Sequence, residues 1–525
     1  MDSPKKYTNI LVGVLLFLVF LQPFLAMKNF SPAFDENSHL PSGYSYLKTG
    51  EIKLNPQHPP LIKILSALPL LFLDLKFDAD DPNLAGPKTD EWQFGRDFLF
   101  NNGIDRVIFW GRIPIVLLSV LLGWYVFKWG KDLFGHKAGV VGLFTYALMP
   151  NIIAQAQLVT TDLGLAVFSF IALYYLWKIT QSCTKRNIIL SGLVLGLALG
   201  SKFSAIFLLP IIFVLLAVYV QKNYSRSSWG SRAKLFLKIF TPILGLAILV
   251  IWVLYFFPKD PLFYWKGLQT VYADRSPTYF YYLNGAFRHE GWWYYFLEAF
   301  VVKTSVPFLA VLGWALFRYK KLALGFLNAS FIFLPVVLFL FLAGWKAQNI
   351  GVRYILIIYP FLILYAGGFL GRLDFSFAKN TFAAAVIVAL GLWYVFSSVN
   401  VYPDYLAYFN ELVGGSENGY KYLDDSNLEW GQDLKRLSEY QKKNPDLKVF
   451  LWTDFNAERA YGIKNILALT EKDEWQKPSG KYAVSAHVVA RTGFIAQVYK
   501  NQAFNWADNY KPTDRIGQSF FIYEF

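Results

Sequence analysis

The sequence of 525 residues is poor in cysteine, histidine and charged residues. Its single cysteine, Cys183, excludes an internal disulfide and any zinc site built on cysteines. Five histidines leave little room for a histidine-rich metal centre. Charged residues make up only 16% of the chain, against about 25% in globular proteins. Because 55% of the residues are apolar, the composition excludes a disordered chain and argues against an ordinary soluble enzyme.

The net charge of +14 is unevenly distributed. Residues 400–525 hold 17 acids and 15 bases, which is the balance of a small water-soluble domain. The first 399 residues hold the remaining 19 acids and 35 bases. Basic residues beside apolar spans usually mark cytoplasmic loops, so the excess does not indicate nucleic-acid binding.

The N-terminal body contains enough apolar sequence for 11 membrane spans, since a helix needs about 20 apolar residues to cross a bilayer. The first run follows Lys5 and Lys6 as in a signal peptide, but no A-x-A cleavage site follows, so an uncleaved anchor is predicted. Residues 187–220 are too long for one span, and bases flank both ends, so the chain must cross twice there. The other predicted spans are Ile10–Ala26, Val107–Phe127, Ala138–Ile153, Leu163–Trp177, Phe236–Phe257, Thr304–Phe317, Ala323–Ala343, Tyr354–Phe369 and Phe382–Ser398.

The bias of basic residues fixes the predicted orientation. With the N-terminus inside, the cytoplasmic segments hold 18 lysines and arginines, and the short outer connections hold three. Two long loops, 27–106 and 258–293, then lie outside, and His58–Leu75 in the first is predicted to form an interfacial helix. The predicted fold is a polytopic α-helical membrane domain over residues 1–399, followed by an extracytoplasmic α/β domain over residues 400–525.

The pattern of the C-terminal domain favours a mixture of helix and strands. A helix is predicted over Leu434–Lys443, and the predicted strands are Lys448–Trp452, Tyr482–His487 and Ser519–Tyr523. We expect this domain to rest on the outer face without forming the catalytic centre. Its acids could instead bind an acceptor; they are Asp424, Asp425, Glu429 and Asp433.

Three acids on the predicted outer face are candidate catalytic residues. Asp35 and Glu36 follow the first span, and adjacent carboxylates suit a general base or a cation site. The alternative is a helix N-terminus, where acids complement the helix dipole. Asp162 lies at the outer entry to a span, where a charge costs up to roughly 3 kcal/mol unless it finds water or a partner. Its alternative role is a solvated N-cap.

Three bases lie at the same boundary: Lys202, Lys303 and Arg353. Each alone could extend to the lipid phosphates. Together with the three acids they suit a substrate with an anionic phosphate and a polar acceptor. Arg288 and Lys346 are reserve candidates.

Four further residues outside are candidates for substrate binding: His39, His58, His289 and Tyr44. An isolated histidine is more often structural or solvated than a ligand. No P-loop or G-x-G-x-x-G motif occurs in a suitable context.

The order of several short motifs resembles the bacterial protein O-mannosyltransferase-like family, phospholipid carrier-dependent glycosyltransferases of the GT-C superfamily. The motifs are Asp35-Glu36 after the first span, NPQHPPL at 55–61, TTD at 160–162, GWWYYF at 291–296, VKT at 302–304 and VRY at 352–354. In the tail, DSNLEWGQDLKRL at 425–437 and the ending RIGQSFFIYEF resemble one bacterial branch. Glu429 stands where that branch more usually has Asp.

The resemblance implies a polyprenyl-phosphate sugar donor and transfer outside the cytoplasm to a hydroxyl of a protein, lipid or glycan acceptor. Asp35 would be the general base of an inverting displacement, and an ordinary carboxylate is already ionised at pH 7. Lys202, Lys303 and Arg353 would bind the donor phosphate. A divalent cation, held by Asp35, Glu36 or Asp162, is the alternative.

Three other functions stay open at this point. A transporter or flippase for lipid-linked glycans would favour internal repeats and ionisable groups near the bilayer midplane. A membrane-anchored binding module would use the tail as its working part. Within the enzymes, an oligosaccharyl or lipid A-type transferase differs only in its acceptor. All of these predict a multi-pass protein of the plasma membrane.

Overall fold

A computed structural model describes the backbone of residues 3–273, 279–373, 381–451, 457–468 and 471–525. Residues 1–399 are almost entirely helical where they are described. Their α-helices are α1 Ser3–Ala26, α2 Glu36–Thr49, α3 Leu61–Ala67, α4 Pro82–Ala85, α5 Glu91–Asn101, α6 Ile104–Phe134, α7 His136–Ala147, α8 Pro150–Ala156, α9 Thr161–Gln181, α10 Lys185–Ser201, α11 Leu208–Asn223, α12 Trp229–Leu254, α13 Phe263–Ala273, α14 Tyr295–Lys303, α15 Val306–Phe317, α16 Phe326–Lys346, α17 Ile358–Arg372 and α18 Thr381–Val399.

Each of the 11 predicted spans coincides with a helix or a pair of helices. Six helices of the described chain are long and apolar enough to cross a membrane, and the number rises to eight if the bent pairs α7–α8 and α14–α15 each count as one span. The other three predicted spans fall on α10, α17 and α18. Helices α10 and α17 are shorter than the six long helices, and α18 is shorter in its apolar part. The buried residues of α17 run without a break from Ile358 to Phe369. A helix enclosed by protein in this way does not itself have to match the bilayer thickness.

The central helix of the bundle is α9. Almost all of its side chains are buried, and it is apolar on every side. Such a helix belongs in the middle of a bundle rather than at its surface. Its first turn carries Asp162, which is therefore placed at one end of the bundle core.

Helices α10 and α12 pack closely along a line of glycines. A Cβ atom on Gly192 would lie 2.9 Å from the Ile243 carbonyl oxygen, and one on Gly200 would lie 2.4 Å from the Leu254 side chain. Small residues allow this approach of two backbones. The contacts advance together along both helices, so α10 and α12 run in the same direction. Helix α11 therefore returns the chain between them, which agrees with the two crossings predicted for residues 187–220.

The first long loop folds into the compact set of helices α2–α5 against α6. The predicted interfacial helix at 58–75 corresponds to α3 and a 3-10 helix, Leu68–Phe72. Leu68 and Leu71 are partly exposed there, and Phe72 is 90% exposed. In the second loop, β1 (Tyr281–Leu283) and β2 (Ala286–Arg288) form a short hairpin.

The tail contains the predicted α/β arrangement. Its helices are α19 Leu434–Lys443, α20 Ala457–Tyr461, α21 Lys472–Gln476, α22 Ala486–Val498 and α23 Trp506–Asn509, and its strands are β3 Lys448–Phe450, β4 Lys481–Ser485, β5 Asp514–Ile516 and β6 Phe520–Glu524. The sheet order is β3-β4-β6-β5, with β3 parallel to β4 and the other pairs antiparallel. The predicted helix agrees with α19, and the predicted strands overlap β3, β4 and β6. Trp452 of the first predicted strand lies outside the described residues.

The segment 401–433 connects the sheet to the membrane body and packs tightly on it. Asn410 Nδ2 donates hydrogen bonds to the carbonyl oxygens of Val301 (2.6 Å) and Thr304 (2.7 Å). Lys303 is buried and donates to the Leu406 carbonyl at 2.8 Å. The tail is therefore fixed to the membrane body through buried polar contacts.

Candidate functional site

A buried ion pair fixes the chain at the end of the first span. Glu36 accepts hydrogen bonds from Arg112 Nε (2.8 Å) and Nη2 (2.5 Å), and both side chains are almost completely buried. The same carboxylate accepts from the backbone N–H groups of Ala33 (2.8 Å) and Val159 (2.9 Å). Glu36 therefore joins the turn after α1 to α6 and to the segment ahead of α9. Its neighbour Asp35 is held in place by these contacts.

Four charged side chains form a continuous row beside this turn, which we call the charged row. Arg353 Nη1 lies 2.9 Å from Asp35 Oδ2 and 3.5 Å from Asp162 Oδ2. Lys202 Nζ lies 2.5 Å from the other oxygen, Asp162 Oδ1. The residues come from the start of α2, a 3-10 helix at Val352–Ile355, the start of α9 and the end of α10. Tertiary structure thus brings two acids and two bases into alternating contact.

The structure distinguishes the two acids by their exposure. The Asp35 side chain is 18% exposed, whereas that of Asp162 is 1% exposed and lies between two cations. The alternative role of Asp162 as a solvated N-cap does not fit this position. Asp35 is the carboxylate of the charged row that a substrate can reach.

Lys303, also predicted to bind phosphate, lies elsewhere. Its ammonium group donates to the carbonyl oxygens of Leu406 (2.8 Å) and Asn427 (2.6 Å) and lies over the Phe409 ring. It joins α14 to the tail and is not part of the charged row.

The four predicted substrate-binding residues separate into two groups. His39 Nδ1 lies 3.0 Å from the Val159 carbonyl oxygen, and its ring packs against that of His58. Burial lowers the pKa of both histidines, that of His58 well below its usual value. Tyr44 packs in the aromatic core of the first loop, and His289 lies against the ring of Phe280 in the second; among the described contacts, neither side chain bonds to the charged row. Of the reserve candidates, Arg288 lies over Trp292, and the side chain of Lys346 lies outside the described part of the structure.

Residues 425–433 of the tail form a wall beside the charged row. Phe34 N donates to the Trp430 carbonyl at 2.8 Å, and Ser31 N donates to the Gln432 carbonyl at 2.9 Å. Arg353 stacks on the Trp430 ring with its guanidinium carbon 4.0 Å from the ring centroid. The tail therefore contributes a wall to this region, while the expectation that it does not form the catalytic centre stays a prediction. The sequence contained a signal for this contact, because DSNLEWGQDLKRL at 425–437 is among the motifs that carry the resemblance.

A polar cavity of about 550 Å³ opens between the charged row and this wall. Asp35 and Arg353 line it from the membrane body. The other ionisable and aromatic residues that line it are Phe34, Trp92, Arg96, Tyr279, Asp425, Glu429, Trp430 and His487. Among these, Trp92 and Arg96 gave no signal in the sequence, because nothing distinguishes them from other residues of an amphipathic loop helix.

A second, apolar cavity of about 320 Å³ lies on the other side of the charged row. Lys202, His58 and Tyr354 line its polar end. Its apolar walls include Phe203, Phe207, Leu268, Val271, Phe339 and Leu342. Arg353 lines the polar cavity and Lys202 the apolar cavity, and both contact Asp162, so the charged row lies between the two cavities.

The pKa values of three buried tail acids beside the polar cavity are raised toward 7. Burial raises the pKa of Asp424, Glu429 and Asp433 to about 7 in each case, although Arg491 and Arg436 oppose the shift at the two aspartates. In an unfolded chain such groups have a pKa of about 4. Between these values the folded protein holds protons that the unfolded chain releases.

We therefore expect these three groups to contribute stability that is fully present below about pH 4. This contribution is lost as the pH rises through about 7. Melting temperatures of the purified protein at pH 5.5 and pH 8 would measure the effect. Glu429→Gln should reduce the difference, because the amide does not ionise, whereas exposed Glu439→Gln should leave it unchanged. A melting temperature that rises with pH equally in the unsubstituted protein, Glu429→Gln and Glu439→Gln would contradict the raised pKa values.

A divalent cation does not fit the predicted acids well. Asp35, Glu36 and Asp162 each face a cationic side chain, which a metal ion would have to displace. In the described ranges, no group of three His, Cys, Asp or Glu side chains converges as a metal site. We derive no chemical step through a metal.

Comparison with known proteins agrees with this architecture. Residues 99–252 match the family described as dolichyl-phosphate-mannose-protein mannosyltransferase. The solved structure of ArnT from Cupriavidus metallidurans in the apo state is similar over 99% of this chain and 98% of its own, with 13% identity and a TM-score of 0.51. No curated protein gives a significant match.

Two further solved structures show weaker similarity. The oligosaccharyltransferase of Archaeoglobus fulgidus covers 98% of this chain and 73% of its own, at 12% identity and a TM-score of 0.49. The Pmt1–Pmt2 protein O-mannosyltransferase complex of S. cerevisiae covers 50% and 34%, at 16% identity and a TM-score of 0.36. The family match over residues 99–252 confirms the predicted resemblance, and the chain shares the fold of the ArnT structure.

Proposed function

We propose that the protein transfers a sugar from a polyprenyl-phosphate donor to an acceptor hydroxyl, with inversion, on the extracytoplasmic face of the plasma membrane. The observation that carries the proposal is the charged row between an apolar and a polar cavity. A lipid-phosphate sugar has an apolar chain, an anionic group and a polar sugar in that order. The site offers complementary surfaces in the same order.

The apolar cavity accounts for the lipid end of the donor. Its aromatic and aliphatic walls can bury the first prenyl units, and this burial is favourable in proportion to the apolar area removed from water. Lys202 at its polar end and Arg353 next to it supply the positive charge that a phosphate needs. The leaving phosphate gains negative charge during transfer, so these two cations also stabilise the transition state.

Asp35 is the general base in this proposal. It faces the polar cavity and takes the proton of the acceptor hydroxyl as that oxygen attacks the anomeric carbon. The bond between the anomeric carbon and the phosphate oxygen breaks, and its electron pair leaves with the lipid phosphate. Glu36 and Arg112 keep Asp35 in position without contacting substrate.

Lys202→Met tests the donor site, because it removes the charge and keeps an apolar side chain. We expect the affinity for undecaprenyl phosphate to fall about ten- to a hundredfold, since a hydrogen bond to a charged group contributes about 1.5–3 kcal/mol. This lipid is bound in a solved structure of the Cupriavidus metallidurans ArnT. Binding to the purified protein can be measured by native mass spectrometry.

Lys259→Met is the matched control, because Lys259 is an exposed lysine of the second loop. The Lys259→Met variant should bind undecaprenyl phosphate with the same affinity as the unsubstituted protein. Equal affinity in the Lys202 and Lys259 variants would remove the apolar cavity as the donor site.

The orientation can be tested with single cysteines. Cys183 lies exposed between α9 and α10, at the end of the bundle predicted to face the cytoplasm. An impermeant maleimide applied to intact cells should leave Cys183 unlabelled. It should label Lys477→Cys in the exposed surface of the tail when Cys183 is replaced by serine. Labelling of Cys183 alone would reverse the orientation and place the site in the cytoplasm.

A further inference from the structure

We infer that the polar cavity binds a carbohydrate acceptor, so that the attacking hydroxyl belongs to a sugar ring. The inference rests on the proposed function and names the acceptor class of the same site. It depends on the aromatic rings, the hydrogen-bonding groups and the backbone pairing of the cavity walls.

Three aromatic side chains that bear on the inference line the polar cavity. Trp92 packs against Phe34 with ring centroids 4.4 Å apart, and both line the cavity. Trp430 also lines it, with Arg353 stacked on its ring. A pyranose ring has an apolar face of C–H groups and a rim of hydroxyls. An aromatic ring can bury that apolar face, while charged groups around the rim accept or donate hydrogen bonds.

The hydrogen-bonding groups of the cavity carry both charges. Asp35, Asp425 and Glu429 offer oxygens, and Arg96 and Arg353 offer N–H groups. The two hydrogen bonds that described residues donate to Glu429, from Ser485 Oγ (2.5 Å) and His487 N (3.1 Å), both reach Oε2. Oε1 is left for a ligand hydroxyl. Acids beside bases give a polyhydroxyl ligand both hydrogen-bond acceptors and donors.

The backbone around the cavity argues against an extended peptide acceptor. Peptides commonly bind by pairing with free backbone groups at a sheet edge. Here the two facing segments pair with each other, through Phe34 N to the Trp430 carbonyl and Ser31 N to the Gln432 carbonyl. Val352 N is likewise bound by the side chain of Asn427 at 2.9 Å.

The size of the cavity also fits a small carbohydrate. Its volume of about 550 Å³ falls within the range of about 300–1,000 Å³ that is usual for small-molecule sites. Acids from both domains and two arginines line it, and these groups suit a ligand with many hydroxyls better than a lipid chain. One or two sugar rings placed between Trp92 and Glu429 would pack on the aromatic side chains and bond to the polar groups.

Saturation-transfer NMR on the purified full-length protein tests the inference. The probes are the methyl glycosides of mannose, glucose, galactose and N-acetylglucosamine, with a serine- and threonine-containing peptide as the competing class. We expect transfer to the ring C–H protons of at least one glycoside, and none to the peptide. Trp92→Ala should abolish this transfer, and Trp92→Phe, which keeps an aromatic face, should retain part of it.

Trp293→Ala is the matched control, because Trp293 is 73% exposed and lies outside the cavity lining. It should bind the glycoside as the unsubstituted protein does. Glu429→Gln should weaken glycoside binding while leaving undecaprenyl phosphate binding unchanged, which separates an acceptor subsite from the donor site. Gel filtration and melting temperature show whether each variant is folded.

Three outcomes would overturn the inference: transfer to the peptide alone, transfer to no probe, or glycoside binding that folded Trp92→Ala and Trp92→Phe leave intact. None of these outcomes depends on the lipid. If undecaprenyl phosphate still binds through Lys202, the proposed function survives and only the acceptor class is wrong. Loss of the lipid site with glycoside binding intact would instead refute the donor part of the proposed function.

Discussion

Asp35→Asn is expected to lower turnover by at least about a hundredfold, the lower end of what a positioned general base contributes. The amide keeps the size of the side chain and can still accept a hydrogen bond from Arg353. It cannot take a proton from the acceptor hydroxyl. Donor binding should persist, because Lys202 and Arg353 are unchanged and the Asp35 charge that competes for Arg353 is gone.

The assay should separate turnover from donor binding. A radiolabelled undecaprenyl-phosphate sugar that the unsubstituted protein transfers, offered with membranes as the source of acceptor, reports transfer. Native mass spectrometry with undecaprenyl phosphate reports binding. Asp74→Asn is the matched control, since Asp74 is an exposed acid of the same loop. Transfer by Asp35→Asn at the rate of the Asp74 variant would exclude Asp35 as the base. Asp162 would then be the next candidate, although it lies deeper and between two cations.

Arg112→Met should produce the largest loss of stability. Breaking a buried ion pair by removing one partner costs about 3–5 kcal/mol, because an uncompensated charge remains buried. Arg112 also donates to the carbonyl oxygens of Met27 (3.0 Å), Phe30 (3.2 Å) and Ser31 (2.9 Å). Its loss leaves all three acceptors and Glu36 without this donor. A lower melting temperature and a lower yield of folded protein in detergent would report it.

Arg106→Met is the control, because Arg106 lies exposed on the same helix. The double variant Arg112→Met, Glu36→Gln should recover part of the lost stability, since the amide carries no buried charge. The departure from additivity then measures the coupling between the two side chains. Equal melting temperatures for the Arg106 and Arg112 variants would show that the ion pair does not hold the turn that carries Asp35.

Arg112 is a residue whose structural role the sequence could have indicated. It stands within the predicted span at Val107–Phe127, and an ionisable residue inside a span normally has a partner and a role. The same rule that selects Asp162 also selects Arg112. The pairing with Glu36 could not be predicted, because 76 residues separate the two in sequence.

The sequence by itself determined the helical membrane body, its double crossing at residues 187–220 and the α/β character of the tail. These features follow from the length of apolar runs, the placement of basic residues and local periodicity, all of which are local properties of the chain. The sequence also supplied Asp35, Asp162, Lys202 and Arg353 as charges near one boundary. Only the tertiary structure decided that these four touch and that Lys303 does not join them.

Tertiary structure also decided the role of the tail. Composition separates residues 400–525 from the membrane body, yet residues 425–433 complete the polar cavity beside Asp35. Long-range contacts of this kind depend on how helices pack and on which buried polar groups find partners, and no local pattern encodes either. The same reason explains why adjacent Asp35 and Glu36 differ so strongly: one faces a cavity, whereas the other is enclosed by Arg112 and two backbone N–H groups.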